Sequence, residues 1–590
     1  MDRLGLICRS VLETPAITQR ELAQELNVSL GTANTLLKEC ISRELIAPAK
    51  TSAAYELTSQ GRDYLQPYKV DGAVIIAAGF GSRFVPLTFE TPKGLLEVFG
   101  ERMIERQIRQ LHEAGISDIT VVVGYLKEKF EYLIDKYDVK LLYNPEYSTK
   151  NNLTTIYRAR ELFKDRNMYL LSSDNWMRHN IFHTYECGAW YSSVYKEGDT
   201  SEWVLTANKK GLITNVGIGG RDSWVMYGPV FFSRSFFDCF FPELDRYYHT
   251  PGTEQFYWEQ VYLENTDKLP LYINRQPEDL VYEFENLEEL RLFDTKYQTN
   301  SDNTALELIA KVFEVPESEI RDIRCLKAGM TNKSFLFHLN GSSYICRIPG
   351  AGTELLINRR QEADIYQTIK ELDITEQLYY LNGDTGYKIS KYYDGTRHPD
   401  SSDPEDMKQC IRILKLLHGS GLEVSHSFDL RERIDFYLNL CRGHNGILFE
   451  DFDTTYHKVL ELLDWLDTLN RPKVLSHIDA NVDNFLFSED GDIRLIDWEY
   501  SGMCDPLVDV AMTSIYSYYN EDAILQLAEL YFERRPDAGE QKIIYAYVAL
   551  CGFVWCLWAI YKSTLGEEFG DYTIINYRYA KKYHEKWKYL

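Results

Sequence analysis

Residues 73–98, AVIIAAGFGSRFVPLTFETPKGLLEV, constrain this chain more than any other stretch. The apolar run 73–78 reads as a buried parallel strand. It empties into Gly79-Phe80-Gly81-Ser82-Arg83, where glycine lets the backbone turn sharply and aim its N–H groups at an anion. Arg83 and, ten residues on, Lys93 add positive charge. Strand, Gly-rich loop and two cations in this order make a triphosphate cradle. Ala78, Gly79 and Gly81 are the candidate nucleotide contacts, and Lys93 and Arg83 the candidate catalytic cations. A lone Gly-x-Gly also marks ordinary strand-to-helix turns; the full string Gly-x-Gly-x-Arg…Pro-Lys-x-Leu-Leu is much more specific.

On these residues the sequence resembles the nucleotidyltransferases that join a nucleoside triphosphate to a phosphorylated small molecule. It is most similar to the bacterial phosphocholine cytidylyltransferases, and the resemblance continues to about residue 298. Within 68–298, residues 103–114 read as a helix and residues 119–125 and 139–144 as strands. The alternation argues for a doubly wound α/β sheet with ligands at the strand ends. NNLTTIYRAR at 151–160 matches the family's segment lining nucleotide and acceptor, which makes Asn152 a nucleotide contact; a plain Asx cap at Asn151 or Asn152 is the alternative. MYLLSSDN (168–175) reads as a strand delivering Asp174 to Mg²⁺, which keeps waters and takes few protein ligands. Where the family shows Glu-Ile-Asp-Ser, this chain has Glu283-Phe284-Glu285-Asn286. On a strand, Glu283 and Glu285 share one side and either could serve metal or substrate. The implied chemistry is in-line attack of a substrate phosphate on the α-phosphorus, driven by positioning and charge neutralisation. Trp203, Trp224, Tyr227, Tyr257, Trp258 and Glu259 fall where the family builds an aromatic, acidic acceptor pocket suited to a quaternary ammonium; core packing is the alternative for each.

Residues 1–67 read as a small helical head: two short helices joined by a turn at 27–30, Ser29 or Thr32 as cap, and a wing over 47–55. They resemble a bacterial winged helix-turn-helix, which would send 32–38 into the major groove of DNA. Charge speaks against DNA. The head holds seven Lys and Arg against eight Asp and Glu, and the whole chain carries −25 with a sequence pI near 5.0. Protein docking or dimerisation, with a homodimer among the expectations, is the other reading.

After a polar stretch at 295–304, read as a linker, a second phosphate machine begins. KAGMTNKSFLFHL (327–339) gives a glycine-containing hairpin with Thr331 at its turn. A strand follows with Arg347, then a helix with Glu362, an arrangement like the kinase Lys–Glu pair. LSHIDANVDNFLF (475–487) is His-x-Asp-x-x-x-x-Asn, and RLIDWEYSG (494–502) is a strand ending in Asp497. In this pattern Asp479 orients the substrate hydroxyl, while Asn484 and Asp497 hold Mg²⁺ against the phosphates. His477 braces the loop. The region resembles the choline/ethanolamine kinases and aminoglycoside phosphotransferases over most of 305–590, with Trp-Glu after Asp497 instead of Phe-Gly and no activation segment. That implies a small-molecule acceptor on a bilobal α+β kinase-like fold. Trp555, Trp558 and Tyr561 recur at three-residue steps. Together with Glu499 they look like the choline kinases' aromatic wall; a buried aromatic stripe is the alternative.

The whole reads as a multidomain α/β chain: winged helix 1–67, nucleotidyltransferase 68–298 and choline-kinase-like phosphotransferase 299–590. The expected activity is a bifunctional synthesis of CDP-choline from choline, ATP and CTP with Mg²⁺. Alternatives are the same reactions on ethanolamine or another amino alcohol, or a transcriptional regulator with ligand-sensing domains. The eleven cysteines show no metal or disulfide spacing, no signal peptide is evident, and no apolar run reads as long enough for a membrane, so a cytoplasmic protein is expected.

Overall fold

The computed structural model describes residues 1–49, 55–328, 332–350, 356–567 and 569–590. They form two compact units, residues 1–307 with 315–318, and residues 308–314 with 319–590.

The first unit starts with the head. Helices Arg3–Glu13, Gln19–Glu25 and Leu30–Ser42 pack around Ile7, Leu22, Leu37 and Cys40. Thr18 and Glu21 form a reciprocal cap on the second helix, and Ser29 accepts from Thr32 N to start the third. Strands Ile46–Pro48 and Tyr55–Leu57 pair antiparallel as the wing, whose tip lies outside the described residues. Next comes a seven-stranded mixed sheet. Its order is Tyr272–Gln276, Trp190–Ala207, Ile213–Phe232, Met168–Ser172, Gly72–Ala77, Ile119–Val123 and Lys140–Tyr143. Strand Gly72–Ala77 runs parallel to both neighbours. Its side chains alternate between two cores: Ala73, Ile75 and Ala77 join one, Val74 the other. Chain order reverses between Gly72–Ala77 and Met168–Ser172, so a crevice opens at their C-terminal ends.

The stretch expected as a linker is packed instead. Tyr297 is buried and donates to Glu97 O at 2.7 Å; buried Asn303 donates to Pro86 O at 3.4 Å.

The second unit has two lobes. Five antiparallel strands in the order Arg321–Ala328, Asn332–Leu339, Ser342–Pro349, Lys388–Lys391 and Leu378–Leu381 carry helix Arg359–Ile369. The other lobe is mainly helical and contains the loop 477–484. Its centre is helix Ala538–Thr564, which corrects one sequence expectation. This helix is long and apolar enough to cross a membrane, yet 89 % of its apolar window is buried, as in the core helix of a globular lobe. The capping box of Asp537 and Glu540 starts it, and helix Tyr572–Tyr589 packs along it.

Candidate active sites

A cleft of about 620 Å³ opens at the crevice in the first unit. Ala78, Gly79, Gly81, Arg83 and Lys93 line one side. Gly81 has φ +69°, and a Cβ there would meet Thr88 and Lys93 at 3.2 and 3.3 Å, so glycine is required. Gly79 has open space around it, and its bare backbone leaves that space for a ligand. Lys93 Nζ lies 2.5 Å from Asp174 Oδ2. Asp174 sits in the turn just past strand Met168–Ser172; its Oδ1 is buried with no hydrogen-bond partner. Burial alone would raise its carboxyl, but the Lys93 ammonium overrides this and holds it below the usual range. Burial and the Asp174 charge push Glu283 up to about 7. Glu283 accepts from Asn175 Nδ2 at 3.1 Å, and Tyr227 OH clamps its backbone, donating to Glu283 O and accepting from Glu283 N.

The orphaned Asp174 oxygen and the Glu283 carboxylate fit a hard divalent cation. Among the described residues no group of three His, Cys, Asp or Glu makes a ready cage, which suits an ion that takes phosphate and water as its other ligands. Glu283 and Glu285 both line the cleft, but Glu285 is engaged differently. The strand ends at Glu283, Asn286 caps helix Leu287–Phe293, and Glu285 pairs with Arg83.

Trp203, Tyr227, Tyr257, Trp258 and Glu259 also line the cleft. Trp258 is a wall more than a contact: it is buried, stacked on Tyr191 and edge-on to Phe232. Asn151 is the Asx cap of helix Asn152–Phe163. Asn152, expected on the nucleotide, accepts from Trp258 N at 2.9 Å and donates to Glu259 at 3.4 Å, so its polar atoms are turned to the acceptor side. Burial pushes Glu259 up to about 7, against the hydrogen bonds it receives, among them one from Tyr191 OH at 3.3 Å. Trp224 is not among the cleft-lining residues. Its register partner is Tyr195, whose ring it meets at 5.4 Å, with the Arg275 guanidinium above it.

In the second unit Arg347 grips Glu362 with two bonds of 2.6 and 2.7 Å. Arg359 bridges Glu362 and Glu499 at 3.1 and 3.2 Å, and Asn332 donates to Glu499. Glu499 therefore belongs to this ionic cluster and not to an aromatic wall, correcting the expectation. Burial and the Asp497 charge push it up to about 7. Thr331 lies outside the described residues. Asp479 accepts from Tyr516 OH at 2.5 Å and from Asn484 Nδ2 at 3.0 Å. Burial raises its carboxyl above the usual range. Asp497 is left-handed at φ +67° and makes no side-chain hydrogen bond with the described residues. Half-exposed and uncommitted, it and the Asn484 carbonyl oxygen are oxygen donors that fit a Mg²⁺ ion.

Trp555 meets Tyr500 at 5.3 Å and Tyr516 at 6.0 Å, which sets an aromatic corner beside Asp479. Trp558 packs behind Trp555 against Phe569. Tyr561, buried like Trp555, differs from it in its ring neighbour, His444 at 5.5 Å.

Three residues escaped sequence reasoning. Tyr516 has no motif. Arg359 was hidden in a polar helix start. Asp509 left a signal, a lone carboxylate in the apolar helix Leu507–Tyr516. It is fully buried and accepts from His477 N, Ile478 N and His418 Nε2 at 2.9, 2.6 and 2.9 Å. These bonds hold Ile478 at φ +72°, a strained value for a β-branched residue. His477 braces the loop through Ile496 O and Trp498.

Comparison with known proteins agrees with this division. Residues 72–187 match the Nucleotidyl transferase family, 322–540 the Phosphotransferase enzyme family and 7–47 the Winged helix-turn-helix DNA-binding family. The choline-phosphate cytidylyltransferase of Streptococcus pneumoniae is 32% identical over 219 residues, 37% of this chain and 95% of that protein. The 2-aminoethylphosphonate cytidylyltransferase of Lancefieldella rimae is 35% identical over 227 residues, 38% of this chain and 92% of that one. The crystal structure of choline kinase LicA from Streptococcus pneumoniae aligns with TM-score 0.42 and 27% identity, over 48% of this chain and 97% of that one. The chain belongs to the nucleotidyl transferase family, in a fused form that carries a phosphotransferase in its second half and a winged helix at its head.

Proposed function

We propose that the chain makes CDP-choline in two steps in the cytoplasm, with a head at 1–67, cytidylyl transfer at 68–298 and choline phosphorylation at 299–590. The observation that carries the choline reading is the corner of Tyr500, Tyr516 and Trp555 beside Asp479. Aromatic faces attract a quaternary ammonium, which has no N–H to donate. Choline seated there brings its hydroxyl to Asp479, which takes the proton as the oxygen attacks the γ-phosphorus of ATP; the bond to the β,γ-bridging oxygen breaks and ADP leaves. Arg347, fixed by Glu362, meets the nucleotide phosphates. Asn484 and Asp497 would hold a Mg²⁺ ion, which when bound would supply charge neutralisation at the phosphates.

In the other unit, a phosphocholine oxygen attacks the α-phosphorus of CTP and pyrophosphate leaves. Lys93 and Arg83 bind the phosphate oxygens, and the bare backbone of residues 79–81 seats them. Asp174 and Glu283 would hold a Mg²⁺ ion, and Glu259 faces the cationic head. The relative named for choline-phosphate supports this acceptor.

A second reading has an acceptor with a primary ammonium, as in the aminoethylphosphonate relative. Glu259 favours it, because its bonds from Asn152 and Tyr191 are long, at 3.4 and 3.3 Å, and a carboxylate can accept from the N–H groups of an ammonium. Incubation with ATP, CTP and Mg²⁺ plus choline, ethanolamine or 2-aminoethylphosphonate, followed by mass analysis, tests both. CDP-choline as the dominant product is expected. Faster conversion of either primary amine would overturn the choline reading.

A further inference from the structure

We propose that the winged-helix head is a working part of the nucleotidyl-transfer unit, and that Arg9 is a positioning residue that holds strand Met168–Ser172, and through it Asp174, in place. The inference rests on the reading above that Asp174 serves cytidylyl transfer.

Helix Arg3–Glu13 is buried from Leu4 through Val11, including the charged Arg9. Arg9 Nη1 donates to Glu186 Oε2 at 2.8 Å. Glu186 is itself buried, and its Oε1 accepts from Tyr169 OH at 2.6 Å. Tyr169 OH in turn accepts from His183 N at 3.1 Å, and the His183 ring pairs with Glu13 of the same head helix at 2.9 Å. The segment between is held from both sides. Asp2 N donates to Cys187 O, while Glu186 N and Val70 N bond with Tyr68 O and Thr184 O on the lead into strand Gly72–Ala77. A Cβ on Gly5 would lie 2.8 Å from Cys187 Sγ, so the head helix sits at closest approach.

Tyr169 is in strand Met168–Ser172, in register with Ala73, and its ring packs on Phe182, Trp190 and Phe231. Two residues past that strand's end is Asp174. Without the Arg9 charge, Glu186 would be a buried carboxylate held by a tyrosine alone. Such a group is costly, and it relaxes by taking a proton or by opening its surroundings. Either change loosens the grip on Tyr169. The other face of the head offers little to DNA: helix Leu30–Ser42 has Lys38 as its sole Lys or Arg.

The test uses the full chain and assays both activities. Arg9→Met is expected to slow CTP-dependent transfer to phosphocholine about tenfold and to raise the Mg²⁺ concentration for half-maximal rate. Choline phosphorylation by the same molecules stays unchanged. Partial unfolding would lower the maximum without moving half-saturation. Amide exchange in the peptide 168–174, with no nucleotide present, is expected to accelerate. Arg9→Lys should retain most of the transfer rate, and the double variant Arg9→Met with Glu186→Leu should recover it by removing the stranded carboxylate. Wild-type rates and Mg²⁺ dependence in Arg9→Met, or a double variant no better than the single one, would overturn the proposal. A wild-type chain that phosphorylates choline but never transfers from CTP would overturn the underlying reading, and the inference with it.

Discussion

Asp509→Asn should cripple phosphorylation and leave cytidylyl transfer untouched. The carboxylate accepts from His477 N, Ile478 N and His418, all inside the protein. Each bond to a charged group contributes about 1.5–3 kcal/mol. Against them stands the left-handed backbone of Ile478, which costs about 1–3 kcal/mol. Asparagine keeps one acceptor oxygen and puts an NH₂ where another N–H now donates. One bond is lost, about 1.5–3 kcal/mol, roughly equal to the strain the loop stores. Ile478 then relaxes and turns Asp479 away from Tyr516 and Asn484. At 1.4 kcal/mol per tenfold, phosphorylation should fall about ten- to hundredfold. Single-turnover phosphorylation of choline measures it, with transfer from supplied phosphocholine as the internal control. A variant within twofold of wild type on about that scale, or one that loses both activities together, refutes the argument.

Lys93→Met should slow cytidylyl transfer about 10²–10³-fold while phosphorylation persists; loss of both would show that the sites are not independent. Trp555→Ala should raise KM for choline about tenfold to thirtyfold, from a desolvated cation–π contact of about 2 kcal/mol, and Trp558→Ala, one ring further back, by less; equal KM values in all three proteins would remove the aromatic corner from the acceptor site. Glu259 has its carboxyl raised to about 7, so it is increasingly ionised as pH climbs through that value and KM for a cationic acceptor should fall over the same range. Burial favours its neutral form, so its contribution to stability is full below the ordinary value of 4.5 and is lost as pH rises through about 7. Glu259→Gln should flatten both profiles; an unchanged KM profile in that variant would assign the titration elsewhere.

The glycine loop and lysine that line the cleft, and the loop that joins Asp479 to Asn484, were legible because their pattern is local in sequence. A glycine loop, a lysine ten residues on and a loop with Asp479 and Asn484 five apart can be recognised without folding the chain. Asp174 was legible for the same reason, as a carboxylate at the end of an apolar strand. What failed was whatever depended on partners far apart in sequence. Glu285 lines the cleft as expected, but its pairing with Arg83, some two hundred residues earlier, could not be read from the sequence. Glu499 was placed with the tryptophans, but two arginines of the other lobe hold it. Trp224 was included from the family resemblance, and Tyr561 from helical spacing and the likeness to an aromatic wall; the structure packs them on Tyr195 and His444. In the fold, the helix Ala538–Thr564 shows the same limit, since its apolar length is readable but what covers it is not.

The pairing of Arg83 with Glu285 has a consequence for turnover. On the proposed cytidylyl-transfer reading, the guanidinium meets the triphosphate already paired with a carboxylate, so nucleotide entry is an exchange of one anion for another. Attraction in the ground state is blunted, and the freed carboxylate then stands close to a strongly negative ligand. When pyrophosphate is made, the same carboxylate is at hand to reclaim the arginine. An internal competitor of this kind weakens the hold on the leaving product.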